Sequence, residues 1–340
     1  MNNRRRQTMT ESQTRHDNAA SKEVRVLILY DKPEEFYGEL QGRFPSVKFF
    51  VCKTYGELRS ELEKVKPNVV LAYKFEPRPF PRDELLACPS LDWLSVAFAG
   101  VDHVVPWDEN RVVVTNAAGV AAPEMAQYAL AAVFGMFQGF PEFYRDQSRK
   151  RWNFKLIRSA RGATIGLVGL GHAGQEIARL FRAVGLNVVA CRARPEPSDV
   201  VDRIYTFDRL NDMLAVCDAT IVCAALTQET RDLFNADRFS AMKSGSYFVN
   251  MARGPIVVEE DLIKSLESGR LAGAVLDVTR VEPLPAESPL WTAPNLLITP
   301  HTSSEYEGWL RDAALMFSDN LERWLSGQPL LNRVSSSRGY

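Results

Sequence analysis

Three glycines in Gly169-Leu170-Gly171-His172-Ala173-Gly174 have the spacing that turns a strand sharply into a helix and brings bare backbone up to a pyrophosphate. An apolar run at 164–168 leads straight into Gly169, and helical spacing follows at 175–183, so the loop has the strand-turn-helix context this chemistry needs. Gly169 would permit the tight turn. Gly171 would admit phosphate oxygens, and Gly174 would let the helix pack closely on the strand. The phosphates would then face the positive end of a helix. His172 and Ala173 sit inside the loop, and His172 reads as a neighbour of the bound dinucleotide rather than a proton carrier.

The residue that meets the adenine ribose should lie about 20 positions further on, at the end of the next strand, and an acid there selects NAD. The strand at 187–191 ends instead on Arg192, with Arg194 close behind. Two guanidinium groups suit the 2′-phosphate of NADP, so NADP(H) is expected in preference to NAD(H).

These residues need a scaffold, and the hydrophobic pattern supplies one. Short apolar runs alternate with amphipathic segments from residue 24 onward, the pattern of parallel sheets covered by helices. Strands are expected at 24–30, 47–52, 69–73, 93–98 and 111–116, with helices near 33–43, 55–65 and 82–87. A long apolar helix follows from Pro123 to about Gly139. A second set of six strands is expected at 163–168, 187–191, 219–224, 247–251, 273–278 and 296–299, with a closing helix near 304–325. The first set has no glycine loop after its opening strand, so the second is the nucleotide binder.

The chain has 340 residues, 46% of them hydrophobic and 24% charged, which suits two globular domains. A formal charge of −1 offers no general attraction to nucleic acid or to an anionic membrane. The five cysteines are scattered without C-x-x-C spacing, which indicates neither a zinc site nor a disulfide framework and suits a reducing, cytoplasmic setting. Residues 1–22 read as a flexible polar leader, with a downstream start at Met9 conceivable.

Further motifs stand in order along the chain: Gly100-Val101-Asp102-His103, Thr115-Asn116-Ala117-Ala118-Gly119-Val120, Leu226-Thr227-Gln228-Glu229-Thr230-Arg231, Val249-Asn250-Met251-Ala252-Arg253-Gly254, Leu276-Asp277-Val278, Glu282-Pro283-Leu284-Pro285 and Thr299-Pro300-His301. With the glycine loop they resemble the D-isomer-specific 2-hydroxyacid dehydrogenases, including glyoxylate and hydroxypyruvate reductases. The resemblance implies an α/β protein of two Rossmann-like domains. A doubly wound parallel-sheet NAD(P)-binding domain, 123–303, would be inserted in a flavodoxin-like substrate-binding domain, 23–122 and 304–340. It also implies a homodimer made through the nucleotide domains and the long helix.

Matching the motifs assigns roles. Arg253 would orient the carboxylate and adjacent carbonyl of a 2-oxoacid with its planar fork. His301 would exchange the proton with the substrate oxygen, and Glu282 would hold the imidazole and favour its charged form. Asp277 would hold the nicotinamide carboxamide, its bland reading being a turn-capping aspartate. Thr227, Met251 and Ala252 would line the cofactor with Arg253, and Ala99 and Gly100 would present the substrate loop beside Arg253 and His301. The expected reaction is NADPH-preferring reduction of a small 2-oxoacid to a D-2-hydroxyacid, glyoxylate or hydroxypyruvate being first candidates. Alternatives are an NAD-linked 3-phosphoglycerate-type dehydrogenase and an NAD(H)-binding corepressor-like interaction protein. Thr279 stands where many relatives carry phenylalanine, and Ala225 where proline is frequent.

Overall fold

The computed structural model describes residues 23–194 and 196–338, so the leader and Met9 lie outside the described residues. The chain divides into two units at Val120/Ala121 and Glu307/Gly308, against expected boundaries at 122/123 and 303/304.

The first unit holds β1 (Arg25–Leu29), α1 (Tyr37–Arg43), β2 (Lys48–Cys52), α2 (Leu58–Val65), β3 (Val69–Ala72), α3 (Arg82–Ala87), β4 (Trp93–Val96) and β5 (Val113–Thr115), together with the C-terminal helix Trp309–Leu325. Its sheet is parallel in the order β2-β1-β3-β4-β5, the flavodoxin-like arrangement. Alternation explains the layers. Leu27 and Leu29 of β1 enter one core with Leu58, Leu62 and Leu85, while Val26 and Ile28 enter the other with Phe317 and Leu321. The C-terminal helix begins at Trp309 rather than near 304, because Gly308 adopts a left-handed φ of +97° immediately before it.

The second unit runs α4 (Ala122–Phe137), α5 (Phe140–Ser148), β6 (Thr164–Val168), α6 (His172–Ala183), β7 (Asn187–Cys191), β8 (Arg203–Tyr205), α7 (Leu210–Leu214), β9 (Ala219–Val222), α8 (Ala236–Ala241), β10 (Ser246–Asn250), α9 (Glu259–Glu267), β11 (Leu271–Leu276) and β12 (Leu296–Ile298). Its seven parallel strands lie in the order β12-β11-β10-β9-β6-β7-β8, a doubly wound sheet with one strand more than expected. The additional strand, β8, is a three-residue edge strand paired only with β7, too short to carry a readable period. Two cores cover the faces: Ile165, Ile221, Val249 and Val275 point to one, and Val168, Val222, Phe248 and Leu276 to the other. Among the described residues, no helix is long and apolar enough to cross a membrane.

Candidate active site

Because every pairing in the second sheet is parallel, all its strands end at the same edge. Chain order reverses between neighbouring β6 and β9, and the crevice at such a switch point is where ligands bind in open α/β sheets. Gly169 follows β6, Arg192 follows β7, Arg253 follows β10, Asp277 follows β11 and His301 follows β12. One folding unit thus gathers the glycine loop, the basic residue, the arginine, both acids and the histidine along one sheet edge. Ala99 and Gly100 belong to the other unit. There Ala99 is exposed after β4, and Asn116 Nδ2 donates to its carbonyl at 2.6 Å.

The glycine loop fits a dinucleotide phosphate. Gly169 has φ +105°, and a Cβ on it would come within 2.8 Å of the Ala224 nitrogen; a Cβ on Gly174 would overlap the Gly169 carbonyl. A Cβ on Gly171 would meet nothing within 4 Å, so that face of the loop is open to a ligand. Helix α6 starts at His172, three residues earlier than expected, with Gly171 as its N-cap. His172 and Ala173 therefore form a first helical turn whose N–H groups have no carbonyl within the helix to bond, a donor set suited to an anion. From below, the Cys223 thiol donates to the Gly169 carbonyl at 3.1 Å.

Arg192 lies on a recess of about 680 Å³ that Leu170, Gln175, Glu196, Ser198 and Asp199 also line. Its Nη2 stands 3.6 Å from a carboxylate oxygen of Glu196. Arg194 is exposed outside that lining and offers its backbone carbonyl to the Glu196 N–H at 2.9 Å.

His301 Nδ1 lies 2.8 Å from one oxygen of Glu282, while the other accepts the Thr279 N–H at 3.0 Å. Partial burial works to raise the Glu282 pKa, but the hydrogen bonds from His301 and Thr279, together with the nearby charges of His301 and Arg253, outweigh it and leave the carboxyl below its ordinary range. An ionised Glu282 makes Nδ1 a donor and so sets the roles of the two ring nitrogens apart. His301 has a left-handed φ of +54°, held by its N–H donating to the Asp277 carbonyl at 2.8 Å. The Asp277 side chain, 1% exposed, accepts from Thr299 Oγ1 at 2.6 Å, from the Thr302 N–H at 2.8 Å and from the Ser303 N–H at 3.0 Å.

The arginine turn is braced locally. Fully buried Asn250 donates to the Arg253 carbonyl at 3.0 Å and accepts from the Ala252 N–H at 3.2 Å. A Cβ on Gly254 would overlap the Thr279 carbonyl, so the loop bearing Arg253 packs backbone to backbone on the segment leading to Glu282. The partly exposed Arg253 donates from Nη1 to the Ala252 carbonyl at 2.7 Å. Met251 and Ala252 point their side chains into the two cores. The Thr227 hydroxyl donates to Glu229 at 2.8 Å within its own turn. Asn250 was legible only as part of a motif. Tyr128, whose hydroxyl is 2.7 Å from Thr299 Oγ1, had no local signal, since 171 residues separate the two.

Comparison with known proteins agrees with this arrangement. Residues 130–303 match the family described as D-isomer specific 2-hydroxyacid dehydrogenase, NAD binding domain. A putative 2-hydroxyacid dehydrogenase of Haemophilus influenzae is 32% identical over 270 residues, covering 75% of this chain and 82% of that protein. The glyoxylate reductase/hydroxypyruvate reductase of Homo sapiens is 30% identical over 254 residues, 71% of this chain and 76% of that one. A D-isomer specific 2-hydroxyacid dehydrogenase of Xanthobacter autotrophicus Py2, solved with NADPH and MES, superposes with a TM-score of 0.81 at 32% identity, covering 93% of this chain and 99% of the other. With the glycine loop at the switch point and an acid-held histidine on the same sheet edge, the chain belongs to the D-isomer specific 2-hydroxyacid dehydrogenase family, whose members are NAD(P)-dependent oxidoreductases acting on CH–OH groups.

Proposed function

We propose that this protein reduces a small 2-oxoacid, glyoxylate or hydroxypyruvate first, to the 2-hydroxyacid, of D configuration where the product is chiral, and prefers NADPH. The observation that carries the reading is the 2.8 Å pair of His301 Nδ1 with Glu282, which leaves Nε2 as the one ring nitrogen able to meet a substrate oxygen. The bound nicotinamide supplies the hydride. Arg253 receives the substrate carboxylate and adjacent carbonyl in its fork and so fixes the face of the carbon that is reduced. The His301 imidazolium gives its Nε2 proton to the carbonyl oxygen as the C=O bond becomes C–O–H, while the Nδ1 proton stays on the ring, donated to the Glu282 carboxylate that balances the ring's charge beforehand. Oxidation of the hydroxyacid runs through the same groups, with the neutral ring accepting the proton at Nε2.

NADPH is favoured by Arg192 directly after β7, the position at which an NAD-selecting acid would stand. The NADPH bound to the Xanthobacter protein supports the same cofactor, and the name of the human relative supports the proposed substrates. A homodimer is supported by the apolar side chains left exposed along 140–157, and a reducing, cytoplasmic setting by five cysteines that are all free thiols. The test is turnover of purified full-length protein with NADPH or NADH against glyoxylate, hydroxypyruvate, pyruvate, bulkier 2-oxoacids and a phosphorylated 2-oxoacid. Reduction of the small acids with NADPH ahead of NADH is expected. No turnover across the panel would sink the reading, and preference for the phosphorylated acid would replace it with the 3-phosphoglycerate type.

A further inference from the structure

The Asp277 carboxylate is buried and receives three donors, two of them backbone N–H groups of the turn just after His301. The Thr299 hydroxyl donates to Asp277 Oδ1 at 2.6 Å and so commits its single proton there. The Tyr128 hydroxyl, 2.7 Å from the same Thr299 oxygen, must then donate to it. Burial pushes the Tyr128 pKa up to about 12, against the opposing effect of its hydrogen bond to Thr299, so that proton is present at any pH at which the protein works. The order is fixed: Tyr128 O–H to Thr299, Thr299 O–H to Asp277, and Asp277 holding the N–H groups of Thr302 and Ser303.

We propose that Tyr128 and Thr299 are positioning residues for His301, their hydroxyls forming a one-way hydrogen-bond chain from α4 into the carboxylate that grips the histidine's turn. The left-handed backbone of His301 is a conformation that non-glycine residues keep only where their surroundings enforce it. Here the enforcing groups are the Asp277 carbonyl on the His301 N–H and the Asp277 carboxylate on the next two N–H groups. Thr299 stops the carboxylate from rotating away from them, and Tyr128 stops Thr299 from adopting another rotamer. If the chain is broken, the imidazole remains present but its Nε2 is held less narrowly where the proton is needed.

The catalytic consequence rests on the hydride-transfer reading above, whereas the structural consequence does not, and the experiment reads both. Full-length Tyr128→Phe, Thr299→Val, Thr299→Ser and the Phe/Val double variant are assayed for kcat and KM, and amide hydrogen exchange is followed at Thr302 and Ser303. Thr299→Val should lower kcat roughly 30-fold and Tyr128→Phe roughly fivefold, with KM for NADPH within about twofold, because positioning errors act on the reacting geometry. Groups acting in series do not add, so the double variant should be no slower than Thr299→Val. Thr299→Ser, which keeps the hydroxyl, should recover most of the rate. Exchange at both amides should quicken in the Val and Phe variants in the same order. Unchanged exchange in Thr299→Val, or losses that multiply in the double variant, would overturn the chain. Absence of wild-type turnover would count against the dehydrogenase reading, and the exchange rates would still decide the chain.

Discussion

Glu282 occupies Nδ1 of His301, so the proposed proton transfer runs through Nε2, and this division can be tested one side chain at a time. His301→Ala should lower kcat at least about 100-fold, the usual worth of a placed general acid, while the dissociation constant for NADPH changes by less than about twofold. Near-normal turnover would remove His301 from proton transfer. Glu282→Gln keeps the shape but removes the charge that favours the imidazolium, so the alkaline limb of the kcat profile for reduction should move to lower pH. The Glu282 carboxyl is held below its ordinary range, so the stability it contributes is present above that range and lost as pH falls through the lowered value. Arg192→Asp should reverse the preference for NADPH over NADH, because the carboxylate repels a 2′-phosphate and accepts from a 2′-hydroxyl. Unchanged discrimination in steady-state kinetics would dismiss the contact. Arg253, Glu282 and His301 were each legible from their motifs. That Arg192 faces Glu196 while Arg194 lies outside the recess lining was not, since the loop's path decides it.

Strands were legible wherever alternation or a continuous apolar run persisted for about five residues, as in 25–29 and 164–168, because a buried parallel strand must offer apolar side chains to both faces. β8 and α5 escaped that reading: β8 has three residues, and α5 buries none of its nine. The join between β6 and β9 was equally hidden. Asp218, at the start of β9, accepts the Thr164 N–H at 2.9 Å and pairs with Arg158 at 2.5 Å and Lys243 at 2.6 Å. Burial works to raise its pKa, but the Lys243 and Thr164 hydrogen bonds and the two cationic charges prevail and keep it low. Asp218→Asn should cost about 1–3 kcal/mol, the range for a partly buried acid that loses its charge beside retained cations, and should lower Tm by several degrees. The wild-type advantage should persist above the ordinary aspartate range and vanish as pH falls through the lowered value. Equal melting temperatures at neutral pH would show that the cluster contributes nothing.

At the scale of the whole molecule, an unusual stretch of apolar surface runs through the second unit: Phe140 is 62% exposed, Tyr144 75%, Trp152 102%, Phe154 83% and Leu156 90%. A monomer leaves so much aromatic surface in water only at a cost of about 25 cal/mol per Å² of apolar area, so a second copy of the chain is expected to cover it. Sedimentation should give a dimer, and Trp152→Ser with Phe154→Ser should shift it towards monomer; a monomeric wild type at micromolar concentration would refute this. The sequence by itself determined the parallel α/β class and the glycine loop, because tight turns and strand burial restrict residue types locally, and its motifs singled out Arg253, Glu282 and His301 as the catalytic candidates. Only the tertiary structure decided that Asn250 braces the arginine turn, that Glu282 takes Nδ1, and that Tyr128 reaches Asp277 through Thr299. Asn250 acts within three residues and Glu282 within nineteen, but Tyr128 and Thr299 stand 171 apart, where packing of the whole unit, rather than any spacing, sets which polar groups meet. The glycine loop was thus readable before folding, whereas the grip on the histidine that serves it exists only once the sheet is assembled.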